Sequence, residues 1–177
     1  MKKILPLLLL AFLATNLHAQ TRAGDLTAGA KGAYISLYKN FTYGVDVSYQ
    51  ITDPLEVSLS GMLNPKIKKK DEYERRFDRD VALYSGSLDL RFYLLNLETF
   101  AMGPSLGGQC LVFKITDPSD HSVRDEGTSA GFNLGWHIRA ELSENLKLNG
   151  GWRYTTATEG LSHHAFYLGI GYTFHLF

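Results

Sequence analysis

The sequence predicts an all-β fold: an eight-stranded antiparallel up-and-down transmembrane β-barrel with a polar, side-chain-filled lumen. Three observations point there. Eight segments alternate apolar and polar side chains with period two, the signature of strands that face two different media. Apart from a short first one, Leu37–Asn40, the connections between them alternate short and long, so the two kinds gather at opposite ends of the sheet. Beyond the N-terminal stretch, nothing reaches the roughly 18 uninterrupted apolar residues of a spanning helix, so a membrane would be crossed by strands alone.

The chain of 177 residues opens MKKILPLLLLAFLATNLHAQ. Lys2 and Lys3 make a basic start, Ile4 to Ala14 an apolar stretch, and Ala19 a small residue before Gln20. That layout predicts a secretory signal peptide over residues 1–19, cleaved after Ala19, and a barrel domain over residues 20–177. Without Lys2 and Lys3 the exported chain carries 16 basic and 18 acidic side chains, a net charge of −2. Such balance argues against nucleic acid as a partner. The single cysteine, Cys110, leaves the chain no internal disulfide, so stability must come from a core or a closed sheet.

The strands are expected near Leu26–Ser36, Phe41–Thr52, Leu55–Asn64, Val81–Leu95, Thr99–Ile115, Ala130–Leu142, Leu146–Thr156 and His164–Phe177. The first sets Lys31 opposite in parity to Leu26 and Tyr34; the second sets Asp46 against Phe41, Tyr43 and Tyr49. The third carries Glu56 on its polar side, and the fourth Asp89 and Arg91 against Tyr84 and Phe92. The fifth holds Pro104, which cannot donate to a ladder, followed by Gly107-Gly108; a bulge is expected there. The sixth sets Phe132, Leu134, Trp136 and Ile138 against Asn133, His137, Arg139 and Glu141. The seventh sets Leu146, Leu148, Trp152 and Tyr154 against Lys147, Asn149, Arg153 and Thr155. The eighth puts Phe166, Leu168, Ile170, Tyr172 and Phe174 on one face. Short connections follow the second, fourth and sixth strands; longer ones, Pro65–Asp80, Thr116–Ser129 and Ala157–His163, follow the third, fifth and seventh. Short turns at one end and long loops at the other are the habit of outer-membrane barrels.

Periodicity alone leaves open which face is oily. Two features favour an outward apolar face in lipid. Aromatic residues fall into two levels, Tyr34, Phe41, Tyr43, Tyr84, Trp152, Tyr154 and Phe166 near the long loops, and Tyr49, Phe92, Phe100, Tyr172 and Phe174 near the short turns. Two such belts match the headgroup levels of a bilayer. The second feature is the last strand, where Gly169–Phe174 reads Gly-Ile-Gly-Tyr-Thr-Phe. It resembles the closing strand of small Gram-negative outer-membrane barrels of the OmpA/OmpX-like type. The resemblance covers the exported chain in layout and the last strand in motif. It implies an outer-membrane location and a barrel-assembly machinery that reads Ile170, Tyr172 and Phe174 or Phe177 as the insertion signal, and it carries no catalytic residues. His175-Leu176-Phe177 extends past the family's usual ending, so Phe174 and Phe177 are alternative ends of that signal.

With the polar face inward, the lumen holds Lys31, Asp46, Glu56, Asp89, Arg91, His137, Arg139, Glu141, Lys147 and Arg153. An eight-stranded barrel is just wide enough for side chains to fill, and charges there must pair because isolated buried charges are costly. A connected ion-pair network is therefore expected. Catalysis requires a nucleophile, a base and an orienting group in mutual reach. Ser162-His163-His164 and Asp120-His121-Ser122 supply the letters as near neighbours in sequence, which cannot point at one another as that chemistry needs. Asp117, Asp120, Asp125 and Glu126 lack an EF-hand spacing, and His163-His164 lacks a third zinc ligand. No metal or cofactor is expected. The loop PKIKKKDEYERRFDRD carries Lys68, Lys69, Lys70, Arg75 and Arg76 among interleaved acids, and could meet lipid phosphates or a polyanion. Glu72–Phe77 would form the tip of a protruding hairpin if the flanking strands extend beyond the membrane. The expected role is a structural or surface-interaction one, for a monomer in contact with outer-membrane lipid, lipopolysaccharide and an extracellular surface ligand. A narrow ion or small-solute channel is the second reading, a lipid A-modifying enzyme the third.

Overall fold

An amphipathic sheet can hide its edges by closing on itself. The computed structural model, which describes residues 23–36, 40–70, 78–97, 99–116, 123–158 and 162–176, does this. Eight long strands are joined in antiparallel order: β1 (Asp25–Ile35), β2 (Asn40–Thr52), β3 (Leu55–Lys70), β4 (Asp78–Phe92), β6 (Phe100–Thr116), β7 (Val123–Glu141), β8 (Leu146–Ala157) and β9 (His163–His175). A two-residue piece, β5 (Leu95–Asn96), pairs with the base of β6. Each strand neighbours the next in sequence, and β1 closes on β9.

Register fixes the shape. A path perpendicular to the strands leaves β1 at Ile35 and passes Ala165, Arg153, Gly135, Ser105, Arg91, Glu56 and Gln50. It returns to β1 opposite Tyr49's neighbour, at Asp25, ten residues from where it began. Ten residues at ~3.3 Å, set against eight strands at ~4.8 Å, give a tilt of about 41° and a backbone radius of about 8 Å. Both suit a small membrane barrel.

The outward face is apolar. Val45, Leu59, Leu88, Leu134 and Leu168 are all more than half exposed. Phe41 and Tyr49 on β2, Tyr84 and Phe92 on β4, and Phe166 and Phe174 on β9 are each eight residues apart and exposed. At this rise and tilt the two aromatic levels lie about 20 Å apart, close to the roughly 25 Å apolar band of an outer-membrane barrel. Charged and hydroxyl side chains fill the inside instead: Ser58, His137, Lys147, Thr155 and Thr173 are almost wholly buried.

Two expectations are corrected. No bulge interrupts the sheet at Pro104, because the β6–β7 register runs unbroken from Phe100↔Ala140 to Ile115↔Asp125. The β4–β6 ladder ends at Arg91↔Ser105, so Pro104 lies one residue beyond it, where a missing donor is tolerated. Parity therefore holds through the glycines, with Leu111 inside and Val112 outside. The irregularities fall elsewhere, at Gln50/Thr52, Ile115/Thr116 and Asn64/Ile67, the last of which accommodates Pro65.

The second correction concerns the long loops. β3 and β4 stay paired out to Lys70↔Asp78, and β6 and β7 out to Thr116↔Val123. Outside a bilayer both faces of a hairpin meet water, so backbone pairing continues after the alternating hydrophobic signal has stopped. The hairpin tip at Glu72–Phe77 lies outside the described residues, as do residues 1–19.

Candidate functional site

The interior of the barrel is built by alternation: each strand sends every second side chain toward the axis, and the stagger arranges them in layers. At the short-turn end Asp25 of β1 sits opposite His175 of β9, with its carboxylate 2.8 Å from His175 Nδ1. The same carboxylate faces Lys147 Nζ at 3.9 Å. One step up, Thr27 and Thr173 share a hydrogen bond of 2.9 Å across the closing pair of strands.

From Lys147 the charges alternate without a break. Lys147 faces Glu141 at 3.9 Å, and Glu141 faces Arg139 Nε at 3.9 Å. Arg139 Nη1 donates to Gln50 Oε1 at 2.9 Å and to Glu56 Oε2 at 3.2 Å. Arg91 reaches Glu56 Oε1 at 2.6 Å and Asp46 Oδ1 at 3.0 Å, and Lys31 Nζ closes on that Asp46 oxygen at 2.9 Å. Tyr93 donates to Glu56 Oε2 at 3.1 Å, while its ring lies under the Arg139 guanidinium, 4.3 Å from centroid to carbon. Glu56 is thus held by two guanidinium groups and a phenol, the dense hydrogen bonding a buried carboxylate requires.

A second cluster lies higher. Arg153 Nη1 donates to Ser87 Oγ at 2.9 Å and to Asp89 Oδ2 at 3.2 Å, and Asn133 donates to Asp89 Oδ1 at 2.9 Å. Thr155 links Asn133 and Gln109 at 2.8 and 3.2 Å. His137, fully buried, lies between the rings of Tyr93 and Tyr167 and shares a 3.0 Å hydrogen bond with the Tyr167 hydroxyl. A cavity bordered by Thr27, Lys31, Asp46, Arg91, Asn149 and Tyr167 has a volume of about 10 Å³, on the scale of one water molecule.

Among the described residues the lumen thus holds five acids (Asp25, Asp46, Glu56, Asp89, Glu141) and five bases (Lys31, Arg91, Arg139, Lys147, Arg153). Asp25 was missed in the sequence because it precedes the first alternating residue. Gln50, Tyr93 and Tyr167 were missed because amides and phenols give no charge signal. At the long-loop end an apolar cluster joins the filling, beside the buried Asn64, Ser129 and His163. Ile35, Leu83, Leu111 and Ala165 pack together inside the barrel, with Phe113 and Ala157 against them.

The other sequence candidates fall outside the lumen or apart from one another. Ser162 Oγ accepts from Ala157 N–H at 3.0 Å and donates to Ala157 O at 3.3 Å, a loop staple. His163 points inward and is buried, whereas His164 lies outside against Trp152 and Tyr154, so the two imidazoles sit on opposite faces of the wall. Asp120-His121-Ser122 and Asp117 lie outside the described residues, and Glu126 is exposed opposite Lys114. Among the described residues no three metal-binding side chains converge. Ile170, Tyr172 and Phe174 line the lipid-facing side of β9, with the last two rings 5.0 Å apart; Phe177 lies outside the described residues. Lys68, Lys69 and Lys70 register against Asp80, Arg79 and Asp78, and Arg75 and Arg76 lie outside the described residues.

Comparison with known proteins adds the following. The family described as "Outer membrane protein beta-barrel domain" matches residues 5–174. The outer membrane protein OprG of Pseudomonas aeruginosa is similar in structure, with a TM-score of 0.64 at 16% identity over 89% of this chain and 100% of that one. Ail, the attachment invasion locus protein of Yersinia pestis, gives 0.58 at 15% identity over 87% of this chain and 100% of its own. Its complex with the heparin analogue sucrose octasulfate gives 0.58 at 14% identity over 85% and 99%. The N-terminal β-barrel domain of Pseudomonas aeruginosa OprF gives 0.59 at 17% identity over 87% and 100%. At these identities the likeness is one of fold. No match was found among curated proteins.

Proposed function

Because the chain belongs to the outer membrane protein β-barrel domain family, whose place is the bacterial outer membrane, we propose that it is a closed, non-enzymatic envelope barrel that acts through its outward hairpins. The observation that carries this reading is the filled lumen. Ten charges of balanced sign are paired within it, and Glu56–Arg139 and Asp89–Arg153 join opposite walls. A narrow channel needs an open axis; here paired side chains occupy the interior.

The hairpins then become the working surface. Lys68, Lys69 and Lys70 end β3, and Arg75 and Arg76 follow within six residues in sequence; a run of that kind suits lipopolysaccharide phosphates or a sulfated surface polymer. The similarity in fold to Ail, seen with a heparin analogue, supports that choice of ligand class. In this reading residues 1–19 are the export leader, and the mature chain is a monomer. Ile170, Tyr172 and Phe174, or Phe177, form the end that the barrel-assembly machinery reads.

Single-channel recording in a planar bilayer tests the closed-lumen reading. The refolded protein, its insertion verified by a gel shift between unboiled and boiled samples, is expected to stay silent. Discrete, reproducible openings would replace this reading with a channel.

A further inference from the structure

We propose that the apolar layer at the long-loop end, rather than the ion-pair network beneath it, is the permeability seal of the barrel. The proposal rests on the closed-lumen reading and locates the closure within it. Around the closed sheet, β1 and β9 form one wall; β4 and β6 form another, separated from the first by β2 and β3 on one side and β8 and β7 on the other. Ile35 of β1 and Ala165 of β9 nevertheless pack in one cluster with Leu83 of β4 and Leu111 of β6. Strands so far apart around the wall can meet only through the lumen. The cluster therefore bridges the bore, and its four members are no more than 5% exposed.

Chemistry separates this layer from what lies below. Within the network an ion meets carboxylates, guanidinium groups and hydroxyls that can replace part of its hydration shell. Where Ile35, Leu83, Leu111 and Ala165 cross the bore it meets only aliphatic surface, and water itself is disfavoured in so narrow an apolar passage; the polar side chains level with them, Asn64 and Ser129, are bonded to Phe41 and Thr158. An ion pair can also exchange partners: Glu56 and Asp46 each serve more than one base. Aliphatic contact offers no equivalent rearrangement. The network fixes the barrel's interior, and the apolar layer excludes ions.

Planar-bilayer recording on four refolded proteins tests this: wild type, Arg139→Gln, the seal variant Leu83→Ser/Leu111→Ser, and the milder Leu83→Ala/Leu111→Ala. Each is first shown to be folded by its unboiled gel position. Wild type and Arg139→Gln are expected to be silent, and the seal variants to show discrete openings, larger with serine than with alanine. If the serine pair does not fold, the alanine pair decides. Openings from Arg139→Gln with the layer intact would overturn the assignment of the seal, as would silence from a folded seal variant; either leaves the closed wild type standing. Openings in wild type would instead overturn the closed-lumen reading itself.

Discussion

Glu56 is a buried carboxylate bound by Arg91, Arg139 and Tyr93. Its removal leaves two guanidinium groups buried without their shared anion. Breaking a buried pair from one side costs about 3–5 kcal/mol, so Glu56→Ala is expected to lower stability by that order in urea unfolding from micelles. Glu56→Gln, which keeps an acceptor, should cost less; equal losses would show that the hydrogen bonds contribute nothing beyond the charge. Most of this network was legible in the sequence, because Asp46, Glu56, Asp89, Arg91, Arg139 and Glu141 share parity with neighbours of their own kind. The apolar layer was not. Ile35, Leu83 and Leu111 break the polar rule of their face, and a lone aliphatic residue at an inward position cannot be told from a register slip until the strands are paired.

At the scale of the strand, the same alternation sets the cost of a charge. Leu59 on β3 is 61% exposed and lies midway between the two aromatic levels. Leu59→Arg should therefore cost about 2–4 kcal/mol, the penalty for a cation at the bilayer midplane. Ile51, outward on β2 beyond the aromatic level, should accept Arg for about 0–1 kcal/mol. Unfolding in lipid vesicles reads both, and equal costs would mean that the apolar face does not meet a bilayer of this thickness. Strand membership was readable because lipid and lumen impose opposite polarity on successive residues. Strand ends were not, since the signal disappears where both faces meet water, as at Lys68–Lys70 and Val123–Glu126. Pro104 misled for a different reason. A proline interrupts a ladder only where the pairing continues beside it, and the β4–β6 ladder has already ended there.

The whole molecule is polar along its axis. One end is closed by tight turns and the Asp25–His175 pair; the other carries paired hairpins, one of which is rich in lysine and arginine in sequence. If the hairpin holds the binding surface, Lys68→Glu/Lys69→Glu/Lys70→Glu should abolish salt-sensitive retention on a sulfated polysaccharide column. The unboiled gel position should be unchanged, because these residues lie beyond the membrane-spanning part of β3. Undiminished retention would send the search to the other hairpins. The up-and-down topology was accessible from the alternation and the turn lengths. The ligand class was not, because acids follow Lys68–Lys70 directly in sequence, and composition cannot say which charges remain free.

The interlocked interior has a consequence for how such a chain can diverge. A lipid-facing residue answers only to the hydrocarbon around it, and leucine, valine or phenylalanine serve there alike. An inward residue answers to partners on several strands, so a change of sign at Asp46 or Arg91 is tolerable only with a matching change elsewhere in the same chain of contacts. Drift outside can be fast and independent, while drift inside must be concerted. Descendants of one barrel would then come to share little identity and still keep its stagger, its girth and the sum of its buried charges. They would be recognised less by which residues they retain than by which ones change together.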